Sequence, residues 1–263
     1  MDFTRMLPEE CQCLIISLTS PADACRSAMV SPSLISVADS DAVWEKFLPC
    51  DYNSILSSSS SSSLLSLGKK ELYSHPSSHP VLIQNGTMSF QLDKGSGKKC
   101  YMLGARTLSI IWGDTPSYWT WTSERDSRFP EVAELKLVWW LHVKGKMETR
   151  ASSPNTNYVV YLVFRIRYQH TIGFRRRPVD LTVNIDGLSS REARRVSLYK
   201  WDEPQHVRER GDEWTEVEMG EFWNGCDDDG IVEFSLEEID TSYHKRGLVI
   251  EGIEIRPKGI VTS

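Results

Sequence analysis

Aromatic rings are the residues whose density in this chain could support binding chemistry. Between positions 105 and 143 lie Trp112, Trp119, Trp121, Trp139 and Trp140, five of the nine tryptophans. Rings of this size seldom stay on a soluble surface unless they are buried or bind something. A ring laid against the apolar face of a sugar, with carboxylates and amides taking the hydroxyls, is a common construction for a carbohydrate site. Trp112 and Trp119 flank the loop at 113–117 and are the candidates to line such a pocket. The competing reading packs both in a core, and the sequence leaves the two open.

Catalytic and metal-binding sets are not evident. The six histidines form no HExxH pattern, and neither GxSxG nor a phosphate-cradling glycine loop occurs. A glycosidase needs two positioned carboxylates, and among 36 acids finding two is no evidence. The six cysteines lack the paired CxxC spacing of a zinc site. Asp227-Asp228-Asp229-Gly230 invites a calcium loop, but that register leaves Gly225 at the first ligand and Leu236 at the last. The chain is expected to be no enzyme, with no metal and no cofactor.

The elements that would position the tryptophans read as strands. Leu108, Ile110 and Trp112 alternate, Gly113-Asp114-Thr115-Pro116 reads as a turn, and Trp119 and Trp121 share one face of a second extended segment. Residues 132–141 are apolar enough for one strand buried on most of its length. Further strands are predicted at 158–168, 179–185, 195–199, 214–219, 231–236 and 248–255, a spacing that suits a β-sandwich. In 214–219, Thr215, Val217 and Met219 face inward and two glutamates outward.

Residues 1–50 differ, with helix-start signals in quick succession. Leu7-Pro8-Glu9-Glu10 opens a helix on which Cys11, Leu14, Ile15 and Leu18 fall at i, i+3, i+4, i+7. Ser20-Pro21, Ser31-Pro32 and Ser40-Asp41 restart the pattern, with Ala22, Cys25 and Met29 predicted inward in the second helix and Val43, Trp44, Phe47 and Leu48 forming an apolar wedge in the last. The serine run at 57–63 has the composition of a flexible spacer. The reading is therefore an α+β multidomain chain: a small all-α unit at 1–50, a linker and connecting segment at 51–97, an all-β sandwich at 98–259 and a tail at 260–263.

A net charge of −6 argues against a nucleic-acid binder. No apolar stretch is long enough to span a bilayer, and Asp2 with Glu9-Glu10 opposes a signal peptide, so cytoplasm or nucleus is the expected location, with no membrane partner.

The tryptophan-rich stretch also carries a resemblance. Ala105-Arg106, Trp112-Gly113-Asp114, Tyr118-Trp119-Thr120-Trp121, Ser127-Arg128-Phe129-Pro130 and Trp140-Leu141, followed downstream by Asp212 to Phe222 and the closing Gly247 to Lys258, resemble the phloem protein 2 domain, a plant lectin-like domain related to the tobacco agglutinin. Leu7-Pro8-Glu9-Glu10-Cys11, Ile15-Ile16, Asp23-Ala24-Cys25, Val43-Trp44 and Phe47-Leu48-Pro49 resemble an F-box. The resemblance implies a substrate-recognition subunit of a Skp-cullin-F-box ubiquitin ligase. Its Skp-type adaptor, and through it cullin, would bind at Leu7, Pro8, Ile15 and Leu18. The lectin-like domain would bind glycans, N-acetylglucosamine-containing or high-mannose, on target glycoproteins; the alternatives are a β-sandwich that has lost sugar binding and recognises a protein surface, or a chain that acts as a stand-alone defence or phloem lectin. The resembling lectins use tryptophans matching Trp112 and Trp119 and an acid matching Glu238, while Ile231 stands where the agglutinin has a glutamate.

Overall fold

The computed structural model describes residues 7–57, 59, 62–186, 193–225 and 229–259. The chain divides into two compact units, Met1–Asn85 with Phe90–Cys100, and Gly86–Ser89 with Tyr101–Ser263.

The first unit holds α1 (Glu9–Ser17), α2 (Pro21–Ala28), α3 (Pro32–Ala38), α4 (Asp41–Phe47), α5 (Tyr52–Ser57) and α6 (Lys69–Ser78), then β1 (Val81–Ile83) and most of β2 (Met88–Leu92). The helices start where the cap residues stand. Ser20 Oγ accepts the Asp23 amide at 3.1 Å, and Pro21 and Pro32 occupy first turns that need no donor. Helix α6 takes its cap from a distance, its Lys69 amide donating to Asp41 Oδ1 at 2.8 Å.

Trp44 is the hub of this unit. It is 2% exposed, donates Nε1–H to Ala38 O at 2.7 Å and meets Tyr73 at 5.1 Å between ring centroids. Val43 and Leu48 are buried with it, as the wedge predicts. In α2 the rotation differs from expectation: Pro21 and Ala24 are buried, whereas Cys25 and Met29 are exposed. An eight-residue helix of small side chains has no large apolar residue to fix its rotation, so its neighbours decide it. On either side of the serine run the chain is packed. Tyr52, Leu56, Leu64, Leu72 and Tyr73 are all buried, supplying the apolar area that serines lack, and Ser58, Ser60 and Ser61 lie outside the described residues.

The second unit is built from two antiparallel sheets. One runs, within this unit, β3 (Lys99–Gly104), β14 (Leu248–Pro257), β8 (Thr156–Ile166), β12 (Thr215–Asn224) and β11 (Val207–Glu209), with β6 (Val132–Leu135) pairing β14 and β5 (Trp119–Thr122) pairing β6. The other runs β10 (Arg194–Val196), β9 (Val179–Ile185), β13 (Ile231–Glu238), β7 (Leu141–Glu148) and β4 (Ser109–Ile110). The sheets face each other over glycines. A Cβ on Gly145 of β7 would sit 3.3 Å from Ile253 Cδ1 of β14, and one on Gly220 of β12 would sit 3.1 Å from Val183 Cγ2 of β9.

Two expectations are corrected in this unit. Residues 132–141 are not one strand: β6 ends at Leu135, and 136–140 cross from one sheet to the other before β7 begins. The crossing backbone bonds to loops rather than to a neighbouring strand, Lys136 N to Tyr118 O at 2.8 Å and Val138 N to Lys245 O at 3.0 Å. The acidic face of β12 is only partly solvated, because Glu216 is buried. Glu216 is 7% exposed and takes Arg210 at 3.2 Å and Arg256 at 2.9 Å, while Glu254 beside it takes Arg128 at 2.8 Å and Arg210 at 2.6 Å. Burial alone would raise the Glu254 carboxyl; Arg128 and Arg210 outweigh it and hold that carboxyl below the usual range.

Candidate functional site

Trp112 lies on the turn between β4 and β5. Gly113 N bonds Ile110 O and Thr115 N bonds Trp112 O, both at 2.9 Å. The turn forces Trp112 to φ +56°, a left-handed conformation costing about 1–2 kcal/mol for a side chain without special turn preference. Its ring is 45% exposed and lies 5.4 Å from that of Tyr118, itself 37% exposed. An exposed aromatic pair on a strained turn is the arrangement a ligand-binding platform needs.

The neighbouring tryptophans hold that turn in place. Trp119 donates Nε1–H to Ile111 O at 3.2 Å, and Trp121 donates to Gly113 O at 3.1 Å. Arg106 lies 3.7 Å over the Trp121 ring and pairs with Glu131 at 2.9 Å. Trp119 is 2% exposed, so its ring packs the core and only its N–H reaches the turn. The structure thus separates the two residues that the sequence pairs, and puts Tyr118 beside Trp112 instead. Tyr118 lies in the turn that precedes β5, its amide on Thr115 O at 2.9 Å, so no strand alternation in the sequence signals it.

Glu238 ends β13 at the same end of its sheet as the Trp112 turn. It lies opposite Leu141 of β7, and on the other side of β7 Ile110 lies opposite Val143. The crossing segment adds Leu137, Trp139 and Trp140, all at least 39% exposed, and the Leu137 amide bonds Tyr118 O at 3.4 Å. The Glu238 side chain is 10% exposed and fully engaged, accepting from Asp240 N at 3.1 Å, Tyr243 OH at 2.5 Å and Lys245 Nζ at 2.8 Å. Lys245 is completely buried and also donates to the carbonyls of Trp139 and Asp240. A buried lysine needs such compensation, and here the ion pair anchors the segment that displays Trp139 and Trp140. Burial and then Glu238 push the Tyr243 phenol up to about 12, so it stays a hydrogen-bond donor.

Ile231 begins the strand that Glu238 ends. Seven residues at strand rise separate the two by about 23 Å and place them on opposite faces. An acid at position 231 would therefore not share one sugar ring with Glu238.

Helix α1 in the first unit presents the other candidate surface. Leu7, Leu14, Ile15 and Leu18 are 43%, 59%, 52% and 78% exposed, and Pro8 immediately precedes the helix. The inward residue is Ile16, at 6%. The apolar stripe read from the sequence thus faces out, and Met29 and Val30, at 80% and 73%, add to the unit's exposed apolar surface. Clustered exposed apolar side chains are the kind of surface that interaction sites use.

Among the described residues no group of His, Cys, Asp and Glu could hold a metal ion, and Asp227 and Asp228 of the calcium reading lie outside them. No helix among them is long and apolar enough to cross a membrane.

Comparison with known proteins bears on both surfaces. The family described as Phloem protein 2 matches residues 98–257, and the F-box domain matches residues 5–46. The chain belongs to the phloem protein 2 family. It joins an F-box, spanning α1 to α4, to a phloem protein 2 domain that contains β3 to β14 and the Trp112 turn. Similar chains occur in Arabidopsis thaliana. Putative F-box protein PP2-B12 is 43% identical over 97% of this chain and 98% of its own, F-box protein PP2-B10 is 41% identical over 97% and 94%, and F-box protein PP2-B1 is 39% identical over 96% and 89%.

Proposed function

We propose that this phloem protein 2 family member is the substrate-recognition subunit of a Skp-cullin-F-box ubiquitin ligase, acting as an adaptor in cytoplasm or nucleus rather than as a catalyst. The carrying observation is the exposed stripe Leu7, Leu14, Ile15 and Leu18, in a segment that matches the F-box. A helix whose apolar face points outward is stable only because the rest of its unit buries Ile16, Val43 and Trp44, and its stripe remains available to a Skp-type adaptor. Leu7 and Pro8 sit at the start of that stripe. Co-purification of the Skp-type adaptor and cullin with the full chain, lost on joint replacement of Leu14 and Leu18 by aspartate, tests it; retention of the complex by a folded variant refutes the assignment.

The second unit selects the target through glycans, N-acetylglucosamine-containing or high-mannose, with Trp112 and Tyr118 as the stacking surface and Trp119 and Glu238 as supports. One shallow sugar site gives about millimolar affinity, near 4 kcal/mol, so protein contacts or multivalency must add to it. Calorimetric titration of the full chain with chito-oligosaccharides and high-mannose glycans, beside Trp112→Ala, tests this. A second reading, recognition of a protein surface, draws support from the engagement of Glu238 with Lys245 and Tyr243 and from the exposed apolar Leu137, Trp139 and Trp140. Absence of heat with any glycan, with target binding lost on Trp139→Ala, favours it.

A further inference from the structure

A cleft of about 480 Å³ opens in the second unit, between the end of β8, Tyr168, Lys200 and the β11–β12 hairpin. Its volume lies within the range of small-molecule sites. Its wall is formed by Arg165, Tyr168, Lys200, Glu209, Glu213 and Trp214. None of these residues belongs to the Trp112 turn or to its supports.

The charges in the wall cancel locally. Arg165 pairs with Glu124 at 3.2 Å and lies 4.6 Å over the Trp214 ring; Lys200 pairs with Glu209; Arg210, which also lines the cleft, pairs with Glu254 at 2.6 Å. An ionic ligand would have to break such pairs, whereas a neutral polyol can hydrogen-bond to both members of each. Trp214 is fully buried, its Nε1–H on Asp126 O at 3.1 Å, and Arg165 covers its face, so it forms the floor. The platform is Tyr168. Its ring is 47% exposed and steadied by Tyr199 at 5.5 Å in an edge-on contact, and its hydroxyl has no hydrogen-bond partner among the described residues. Burial raises the Tyr168 phenol, which keeps that hydroxyl a donor. The hairpin rim is strained where it lines the cleft, with Glu213 at φ +64°, and a Cβ on Gly211 would meet nothing within 4 Å.

We propose that this cleft is a second saccharide subsite, taking an uncharged sugar ring against Tyr168 with its hydroxyls shared between the Arg165, Lys200, Glu209 and Glu213 side chains. The subsite stands on its own geometry and does not rest on the role given to Trp112. Two weak sites on one domain would raise the affinity for a branched or extended glycan without either site becoming tight.

The test is titration of the full chain, with ¹⁵N-labelled tryptophan indoles, by triacetylchitotriose and mannotriose, and by glucuronate and inorganic phosphate as charged probes. The expected result is a saturable shift of the Trp214 indole N–H with at least one neutral trisaccharide. Tyr168→Ala should weaken it at least fivefold and Glu209→Gln at least twofold, while Trp112→Ala leaves it unchanged. The Trp112 indole reports the other site separately, so silence there with a responsive Trp214 refutes the turn and supports the cleft. The proposal is overturned if neither neutral sugar moves Trp214, if phosphate or glucuronate saturates it at lower concentration than both, or if Trp112→Ala abolishes the shift.

Discussion

Helix α1 and the Trp112 turn both expose large apolar side chains, but for opposite reasons. Leu14, Ile15 and Leu18 point outward because the helix has more apolar residues than its small unit can bury, and one of them, Ile16, suffices for attachment. Trp112 points outward because the backbone is held that way, through a positive φ and two indole hydrogen bonds to the carbonyls on either side. The contrast teaches that an apolar group is exposed in two ways, as a surplus that its unit does not bury and as a display that the rest of the fold maintains.

Substitutions can break this contrast, and the largest effect should come from the support of the display. Trp119→Ala removes a fully buried indole and should cost about 3–5 kcal/mol in chemical denaturation. Trp119→Phe keeps most of the ring but strands Ile111 O, and about 1–3 kcal/mol is expected. On α1 the expectation is reversed. Leu14→Asp with Leu18→Asp should reduce adaptor affinity at least a hundredfold in a pull-down or interferometry assay, with stability within about 0.5 kcal/mol of the parent because both residues are already solvated. A large loss of stability would mean that the stripe is packing rather than surplus.

Trp112→Gly sharpens the comparison in a smaller way. Relief of the left-handed conformation, about 1 kcal/mol, should offset the lost contact with Tyr118, so the melting temperature should hold or rise while glycan heat disappears. The smallest effect is electrostatic. Because the folded Glu254 carboxyl is held below its unfolded value near 4.3, its contribution is fully present above that pH and is lost as pH falls through the folded value. Acid titration of Glu254→Gln beside the parent should show a shallower loss of stability below about pH 4, confined to the sheet unit.

Much of the fold was legible in local patterns. Ser20-Pro21 marks a helix start because a side-chain oxygen and a missing donor act within one turn, and Pro32 marks the next through the missing donor alone. The strand at 179–185 was read to the residue from alternation. A continuous strand at 132–141 does not form because its apolar residues, continuous in sequence, serve two sheets: Val132, Ala133 and Leu135 in one and Leu141 in the other. The buried Glu216 escaped notice because its arginines arrive from the preceding loop and from β14.

The sequence by itself determined that this chain carries a helical unit with a surplus apolar stripe and a β unit rich in tryptophan, because both properties are set by spacing along the chain. Which tryptophan faces solvent was decided by tertiary structure alone. Trp112 and Trp119 are equally apolar, and only the pairing of β5 with β6, which buries Trp119 and turns its N–H onto Ile111 O, leaves Trp112 outside. The same holds for Glu238, whose charge is spoken for by Lys245, a residue whose complete burial no local pattern announces.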